Sequence, residues 1–333
     1  MDELALLQHL LQGVATQAEG LLAGVGDDCA VLAASGSRDW LITTDALVEG
    51  IHFRREWASW EAIGRKSALV NISDIAAMGG RPRFCLVTLA IPDDLPVPAV
   101  MEFYCGLRAA ADQFQMTVIG GDTVQGRKSF CASITAVGEV PHGRAVYRRG
   151  ARPGDGCYVT GALGGATIGL EALQRRLSAA TYGPFIERHM RPTPRVAAGQ
   201  WLTATGCVTS MIDLSDGLLT DLERVAAASG VGARLEAVRI PLFPEMSPVA
   251  EGWKRSPIAI ACASGEEYEL AFTVAGAREY AFQRFLPAAE KTLGHAITRI
   301  GAITQERGVA VVDPEGRPLE LTQRGFVHQF RDA

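Results

Sequence analysis

Aspartate recurs beside glycine, serine or threonine, in most cases directly after a short apolar run. The instances are Gly26-Asp27-Asp28, Thr43-Thr44-Asp45, Gly120-Gly121-Asp122-Thr123, Asp213-Leu214-Ser215-Asp216-Gly217 and, inside a predicted helix, Asn71-Ile72-Ser73-Asp74. One such aspartate is typical of a turn or a helix cap. Five sites predict carboxylates gathered at one edge of a sheet, where they repel one another and favour hard cations. Mg²⁺ binds one or two carboxylates plus substrate phosphates, so the pattern indicates several Mg²⁺ ions and a ligand such as ATP.

The nucleotide is not predicted to bind a P-loop. Gly121–Ser129 resembles G-x-x-x-x-G-K-[ST], but Arg127 intrudes before Lys128. The next segment, Phe130–Val137, predicts a strand where a P-loop needs a helix. Ser215 and Asp216 instead precede the predicted helix Leu218–Ser229. They could cap that helix, and its N-terminus also offers free N–H groups to a phosphate.

Three further groups have an ordinary and a functional interpretation. His52, seven residues after Asp45, is more often structural when it stands alone. Arg148 lies in a basic segment and would ordinarily be solvated, but beside phosphates it is a natural donor. The acidic run Ser264–Glu269 could be a simple turn before a strand.

Composition limits the classes of protein. The 333 residues are 48% hydrophobic and 21% charged with a net charge of −5, which excludes disorder and argues against a general basic nucleic-acid surface. No apolar run approaches the roughly 18 residues of a membrane span. Residues Met1–Leu11 predict an amphipathic helix, not a signal peptide. Seven scattered cysteines without a C-x-x-C pair favour a reducing cytoplasm over disulfides or a zinc site.

Apolar runs alternate with helical patterns, which predicts an α/β or α+β protein. We expect an N-terminal domain over 1–140, a Gly- and Pro-rich basic linker over 141–155, and a C-terminal domain over 156–333. Strands are predicted at Trp40–Thr44, Phe84–Ile91, Thr117–Gly120, Cys131–Val137, Cys157–Thr160, Val208–Asp213, Ile258–Ala263 and Glu269–Val274. Helices are predicted at Trp60–Met78 and Val100–Gln113, from the Gly161–Gly165 turn to about Leu177, and at Leu218–Ser229. In the helix Trp60–Met78, residues Ser67, Asn71, Asp74 and Met78 share one stripe.

Six motifs in order resemble the thiamine-monophosphate kinase family, within the superfamily of aminoimidazole ribonucleotide synthetase and selenophosphate synthetase. They are Gly24–Ala30, Thr43-Thr44-Asp45 with Val48–Phe53, Asn71–Gly79, Gly120–Thr123, Asp213–Gly217 and Gly265–Leu270. With a loosely matching Gly325–His328 they span nearly the whole chain. The family pattern usually has Asp where this chain has Glu267.

The resemblance implies an N-terminal mixed-sheet α/β domain that pairs with a second subunit, and a C-terminal α+β domain. It implies that ATP and several Mg²⁺ ions bind between the domains, with thiamine monophosphate as the acceptor. Its metal-site residues would be Asp28, Thr44, Asp45, Asp74, Asp122, Asp213 and Asp216, with Asp27 and Thr43 less certain. Its ATP contacts would be Gly121, Asp122, Arg148 and Ser215. Its substrate contacts would be His52, Glu266 and Phe326.

Two other classes of function stay open from the sequence. One is a different ATP-dependent enzyme of this superfamily, acting on an amide or a small oxyanion, and the acceptor that raises ADP release would identify it. The other is a non-catalytic ATP/Mg²⁺ sensor or dimeric scaffold, which ATP would stabilise without phosphorylating any acceptor. A two-metal hydrolase is disfavoured because the histidines are isolated.

Overall fold

The structure, a computed structural model, describes residues 3–11, 17–34 and 36–326. An N-terminal six-stranded sheet has the order β1-β2-β3-β6-β4-β5 and is mixed, since β4 and β5 are parallel and the other pairs antiparallel. Its strands are β1 Leu21–Ala23, β2 Ala30–Ala33, β3 Arg38–Val48, β4 Arg81–Ile91, β5 Thr117–Gln125 and β6 Cys131–Pro141. The helices of this half are α1 Glu3–Leu10, α2 Trp60–Ala77 and α3 Val97–Gln113.

The second half is a six-stranded sheet with helices, ordered β12-β9-β11-β7-β10-β8. Its strands are β7 Gly156–Thr160, β8 Val208–Asp213, β9 Gly232–Glu236, β10 Leu270–Val274, β11 Ile297–Thr304 and β12 Gly308–Val312. Its helices are α4 Gly165–Gln174, α5 Ala179–Met190, α6 Val196–Thr205, α7 Leu218–Ser229, α8 Met246–Gly252, α9 Pro257–Ala263 and α10 Gly276–Leu293, with a 3₁₀ turn at Ala237–Arg239.

Helix α2 lies at the junction of the two halves. Ser59 caps it by accepting the Ala62 N–H at 3.2 Å, and it ends before Gly79, whose φ of +73° suits a residue without a side chain. Nearly all its side chains are buried, as expected for a helix enclosed on all sides. Helix α6 approaches it so closely that a Cβ on Gly199 would lie 2.1 Å from the Ala76 carbonyl oxygen. This packing fixes α2 against the C-terminal half.

Most predicted elements are confirmed, with one error. The predicted strands other than Ile258–Ala263 lie within or overlap β3 to β8 and β10, and α1, α2, α3, α4 and α7 match the predicted helices. Met1 and Asp2, at the start of the predicted α1, lie outside the described residues. Ile258–Ala263, predicted as a strand, is wrong: these residues form α9. The Ser256 hydroxyl accepts the Ala259 N–H at 3.3 Å and Pro257 opens the helix, two start signals that outweigh the β-branched residues.

No helix within the described ranges is long and apolar enough to cross a membrane. All seven cysteines are free thiols, as the scattered spacing predicts. Five of them, at positions 29, 85, 157, 207 and 262, are buried.

Candidate active site

Three carboxylates from distant parts of the chain meet between the two halves. Asp28 precedes β2, Asp74 lies in the last turn of α2, and Asp213 ends β8. One oxygen of each lies within 4.8 Å of the others. Asp28 Oδ2 is buried and accepts no hydrogen bond, an orphaned acceptor that normally has a partner. An oxygen-only donor set with a free buried acceptor fits Mg²⁺.

The carboxylates of this cluster are costly to ionise without a cation. Burial, together with the neighbouring Asp45, Asp213 and Asp28 charges, raises the pKa of Asp74 well above its usual range. Burial and the Asp28 charge do the same to the pKa of Asp213. Desolvation and the charges of Asp216 and Asp28 raise the pKa of Asp45 to about 6. These shifts are those of an anion cluster built for positive charge.

Arg148 brings a positive side chain into direct contact with this cluster. Its guanidinium donates to Asp28 Oδ1 from Nη2 at 2.6 Å and from Nε at 3.1 Å. Its backbone N–H lies 3.2 Å from each carboxylate oxygen of Asp27. Burial and the Asp28 charge raise the pKa of Asp27 to about 6. Because only one oxygen of Asp28 is engaged, Arg148 balances part of the negative charge and leaves the orphaned oxygen available.

The predicted polar stripe of α2 faces β3 and the loop before β2. Thr43 Oγ1 donates to Asp74 Oδ2 at 2.6 Å, and Asn71 Oδ1 accepts the Asp45 backbone N–H at 3.0 Å. The Cys29 N–H lies 3.2 Å from the Met78 sulfur. The stripe therefore aligns β3 and the Asp28 loop on one helix face.

The start of α7 is organised by residues that the sequence did not indicate. Gly217 is the N-cap with a φ of +127° and has no side-chain cap, so Ser215 and Asp216 do not cap the helix. The Asp221 carboxylate accepts the N–H groups of Asp216 and Gly217 at 3.1 and 3.0 Å instead. Arg224 bridges Asp221, at 2.6 Å, and Asp216. Asp216 is thus held beside the cluster by an ion pair.

The predicted substrate-side residues Glu266 and Phe326 lie against the same segment. The Glu266 N–H donates to the Ser215 carbonyl at 2.7 Å, and the Phe326 N–H donates to the Asp216 carbonyl at 2.9 Å. Glu266 and Tyr268 have φ values of +58° and +50°, unusual for residues with side chains and frequent at functional sites. Val327 and His328 of the loosely matching motif lie outside the described residues.

His52 lies in the turn after β3, and its Nδ1 accepts the Val48 N–H at 3.0 Å. His52 also lies near enough to interact with the Glu266 carboxylate. The structure therefore places Glu266 near His52 and, through the segment 215–216, near Phe326.

Lys66 and His189 are buried beside Glu266 and were not indicated by the sequence. Lys66 Nζ lies 2.9 Å from Glu266 Oε1, and His189 Nδ1 lies 3.1 Å from Glu266 Oε2. A single lysine within a helical pattern ordinarily predicts a solvated side chain, and only the buried character of α2 distinguishes this one.

Asp122 and Thr44 are not brought into the cluster. Asp122 on β5 aligns across the sheet with Thr88 on β4, Ser133 on β6 and Ala46 on β3. Asp122 is therefore three strand spacings, or about 14 Å, from β3. Thr88 is exposed, so this row and Thr44 lie on the sheet face opposite α2. Gly121 is required here, because a Cβ would lie 1.9 Å from the Val87 carbonyl oxygen.

Comparison with known proteins identifies the family of this chain. The domain family "AIR synthase related protein" matches residues 26–140 with its N-terminal domain and 152–315 with its C-terminal domain, so the chain is a two-domain AIR synthase-related protein. Thiamine-monophosphate kinase of Escherichia coli K12 is 36% identical over 98% of both chains. That of Bacillus subtilis is 32% identical over 98% of this chain and 99% of its own. The chain belongs to the thiamine-monophosphate kinase family.

A solved structure of AaThiL complexed with AMPPCP and TMP shares the whole fold. It superposes with a TM-score of 0.85 at 32% identity, covering 98% of this chain and 97% of that chain. The predicted two-domain architecture, mixed-sheet α/β followed by α+β, is therefore confirmed.

Magnesium is expected to stabilise the protein more at pH 8 than at pH 5. A carboxyl group whose pKa is higher in the folded than in the unfolded protein destabilises the metal-free fold as the pH rises between these two pKa values. For Asp27 and Asp45 this range runs from about 3.8 to about 6. Bound Mg²⁺ offsets this loss of stability at high pH, while at low pH protons compete with Mg²⁺ for the carboxylates. The difference in Tm between MgCl₂ and EDTA, measured from pH 5 to 8, should grow with pH. KCl at the same ionic strength should not raise Tm comparably. An equal rise in Tm with KCl would show that MgCl₂ acts only by screening charges.

Proposed function

We propose that this chain transfers the γ-phosphoryl group of ATP to the phosphate of thiamine monophosphate, forming thiamine diphosphate and ADP. The observation that carries the proposal is the cluster of Asp28, Asp74 and Asp213, with its orphaned oxygen, beside Arg148. Its support from relatives is full-length similarity to thiamine-monophosphate kinases, and AaThiL bound to AMPPCP and TMP.

Within this proposal the residues divide by position. Mg²⁺ ions would be held by Asp28, Asp74, Asp213 and the flanking Asp27, Thr43, Asp45 and Asp216. Thr44 and Asp122 face the other side of the sheet, so an ion that they hold would lie apart from this cluster. ATP would contact Gly121, Asp122, Arg148 and Ser215. Thiamine monophosphate would contact His52, Glu266 and Phe326.

The reaction needs no general base from the protein. The acceptor is a phosphate monoester whose second pKa is about 6, so at pH 7 its oxygen is already largely deprotonated. The difficulty is to bring two anions together in line. Mg²⁺, when bound, supplies charge neutralisation for the phosphates. The Arg148 guanidinium donates to phosphate oxygens, while Glu266 and His52 orient the acceptor.

One reaction tests the function. Purified protein, Mg·ATP and thiamine monophosphate are mixed, and thiamine species are resolved by chromatography with EDTA and no-ATP controls. We expect thiamine diphosphate in a 1:1 ratio with ADP. ADP without thiamine diphosphate would show that the phosphoryl group goes to water and not to this acceptor. Stabilisation by ATP without turnover would leave another acceptor or a non-catalytic nucleotide sensor.

We further propose that two copies pair through the N-terminal sheet. Helices α2 and α3 cover one face, where Val87 and Leu89 are buried. On the open side β5 is almost wholly exposed, and Leu86, Ile119 and Val124 are 42%, 57% and 47% exposed. A second copy on this face would cover these apolar side chains together with Thr44 and Asp122. Light scattering should then give twice the 35.5 kDa chain mass.

We infer that the protein works in the cytoplasm. All seven cysteines are free, and the exposed Cys105 would be vulnerable to oxidation elsewhere. A reducing compartment preserves these thiols.

A further inference from the structure

The Glu266 carboxylate is held by a buried cation from the other half of the molecule. Lys66 is 1% exposed, and its ammonium lies 2.9 Å from Glu266 Oε1. His189, also 1% exposed, lies 3.1 Å from Oε2. Neither Lys66 Nζ nor either ring nitrogen of His189 makes an aligned hydrogen bond, so Lys66 acts on Glu266 through its charge and His189 through packing against it. Burying a lysine in this way is costly unless its charge is paired, and Glu266 supplies that partner.

The arrangement decides which chemical form Glu266 presents. The groups facing this carboxylate are Lys66 on α2, His189 on α5, His52 after β3 and Tyr268 in its own loop. Burial raises the Glu266 pKa, but the interaction with Lys66, the largest of the opposing effects, and with the neighbouring histidines outweighs it, so the pKa lies below its usual value. Burial and the Lys66 charge lower the His189 pKa to about 3, so His189 is neutral at pH 7. Glu266 is therefore an ionised carboxylate, which accepts hydrogen bonds and donates none.

The Glu266 side chain keeps access to the site. It is 26% exposed, while its partners Lys66 and His189 lie behind it. Each carboxylate oxygen has two lone pairs, so acceptor positions stay open towards a ligand. Thiamine monophosphate carries its N–H donors on the 4-amino group of the pyrimidine ring. An acceptor-only carboxylate therefore selects that group.

We propose that Lys66 is a positioning residue that fixes Glu266 as a hydrogen-bond acceptor for the substrate's 4-amino group and so sets the choice of amino- over oxo-pyrimidine. This inference rests on the proposed function. The 4-oxo analogue presents an acceptor where the amino group donates, so it faces Glu266 with repulsion. Sites built to hydrogen-bond one group reject analogues that lack it far better than apolar pockets do.

The Lys66→Met variant tests the proposal, because methionine fills the buried space without a charge. The wild type should prefer thiamine monophosphate over its 4-oxo analogue in kcat/KM. In Lys66→Met we expect this preference to fall about tenfold or more, with KM for thiamine monophosphate raised and kcat changed less. The uncompensated Glu266 becomes easier to protonate and can then donate to the oxo group.

A double-mutant cycle separates positioning from general damage. In the Glu266→Gln background, Lys66→Met should add little to KM or to the preference, because its effect passes through Glu266. Arg191→Gln is the matched control, since Arg191 pairs with Glu61 at 2.9 Å and likewise joins α5 to α2. It should leave the preference unchanged. Additive effects in the cycle, or an unchanged preference in Lys66→Met, would overturn the inference.

Two measurements keep the test decisive. If Lys66→Met does not fold, Glu266→Gln alone must lose the amino preference, and a retained preference overturns the inference.

The Tm increase on adding thiamine monophosphate or its 4-oxo analogue, without ATP, reports binding independently of turnover. A wild type that forms no thiamine diphosphate but is stabilised by the amino compound alone would refute the proposed function while supporting the role of Lys66. Equal stabilisation by both compounds would refute that role.

Discussion

Replacing Asp74 with asparagine is expected to lower kcat about a thousandfold or more while making the metal-free protein more stable. Asp74 lies at the centre of the cluster, where the charges of Asp45, Asp213 and Asp28 all act on it. Asparagine has the same shape and can still accept the Thr43 hydroxyl, so the fold keeps its contact. Asparagine cannot ionise, so the metal-free protein no longer bears the cost of either a repelled charge or a proton held at this position. A thousandfold loss corresponds to about 4 kcal/mol of transition-state stabilisation.

Steady-state kinetics and thermal unfolding of the same variant check both parts. Tm in EDTA should rise above the wild-type value, and the Mg²⁺-induced increase should shrink. Asp313→Asn is the control, because Asp313 lies in the C-terminal half and pairs with Arg317 on the surface. That variant should behave like the wild type. Normal turnover of Asp74→Asn would remove Asp74 from the metal site.

The residue types of the cluster were predictable from local signals, but their placement was not. Asp213 ends an apolar strand as predicted, whereas Asp74 lies in α2 and Asp28 precedes β2, so the carboxylates come from a helix and two sheets and not, as predicted, from one sheet edge. The α2 stripe follows from helical spacing alone, whereas its hydrogen bond from the Asp45 N–H to Asn71 is a tertiary contact that spacing does not give. The resemblance then ordered these pieces along the chain.

The remaining features depend on tertiary contacts that spacing does not encode. In the sequence Lys66 is indistinguishable from a surface lysine, and its burial follows only from the elements that pack around α2. Asp221 and Arg224 sit one turn into α7, where acidic and basic residues ordinarily indicate only a solvated face. The separation of Asp122 from Asp45 comes from strand order, because β6 and β4 lie between β3 and β5. A sequence gives no direct sign of that order.

Glu267, where the chain departs from the family pattern, serves the fold and not the substrate. It is fully buried, and its Oε1 accepts the Gly164 and Ala166 N–H groups at 2.7 and 3.0 Å and the Ser264 hydroxyl at 2.7 Å. Its Oε2 accepts Arg188 Nε at 3.0 Å. Glu267 thus satisfies free N–H groups at the start of α4 and neutralises a nearly buried arginine. Glu267, the residue that departs from the family pattern, is therefore buried in the fold, while its neighbour Glu266 is the predicted substrate contact.

Glu267→Ala is therefore expected to lower the free energy of unfolding by about 3–5 kcal/mol, the usual loss when one partner of a buried ion pair is removed. Urea unfolding followed by circular dichroism measures it. Glu315→Ala, on an exposed turn paired with Arg317, should change stability by less than about 0.5 kcal/mol. Glu267→Asp, the residue of the family pattern, keeps the charge but is one methylene shorter, so it should cost less and leave KM for thiamine monophosphate unchanged. A raised KM with unchanged stability in Glu267→Asp would instead place this side chain at the substrate, because a buried cap acts on binding only through the fold it stabilises.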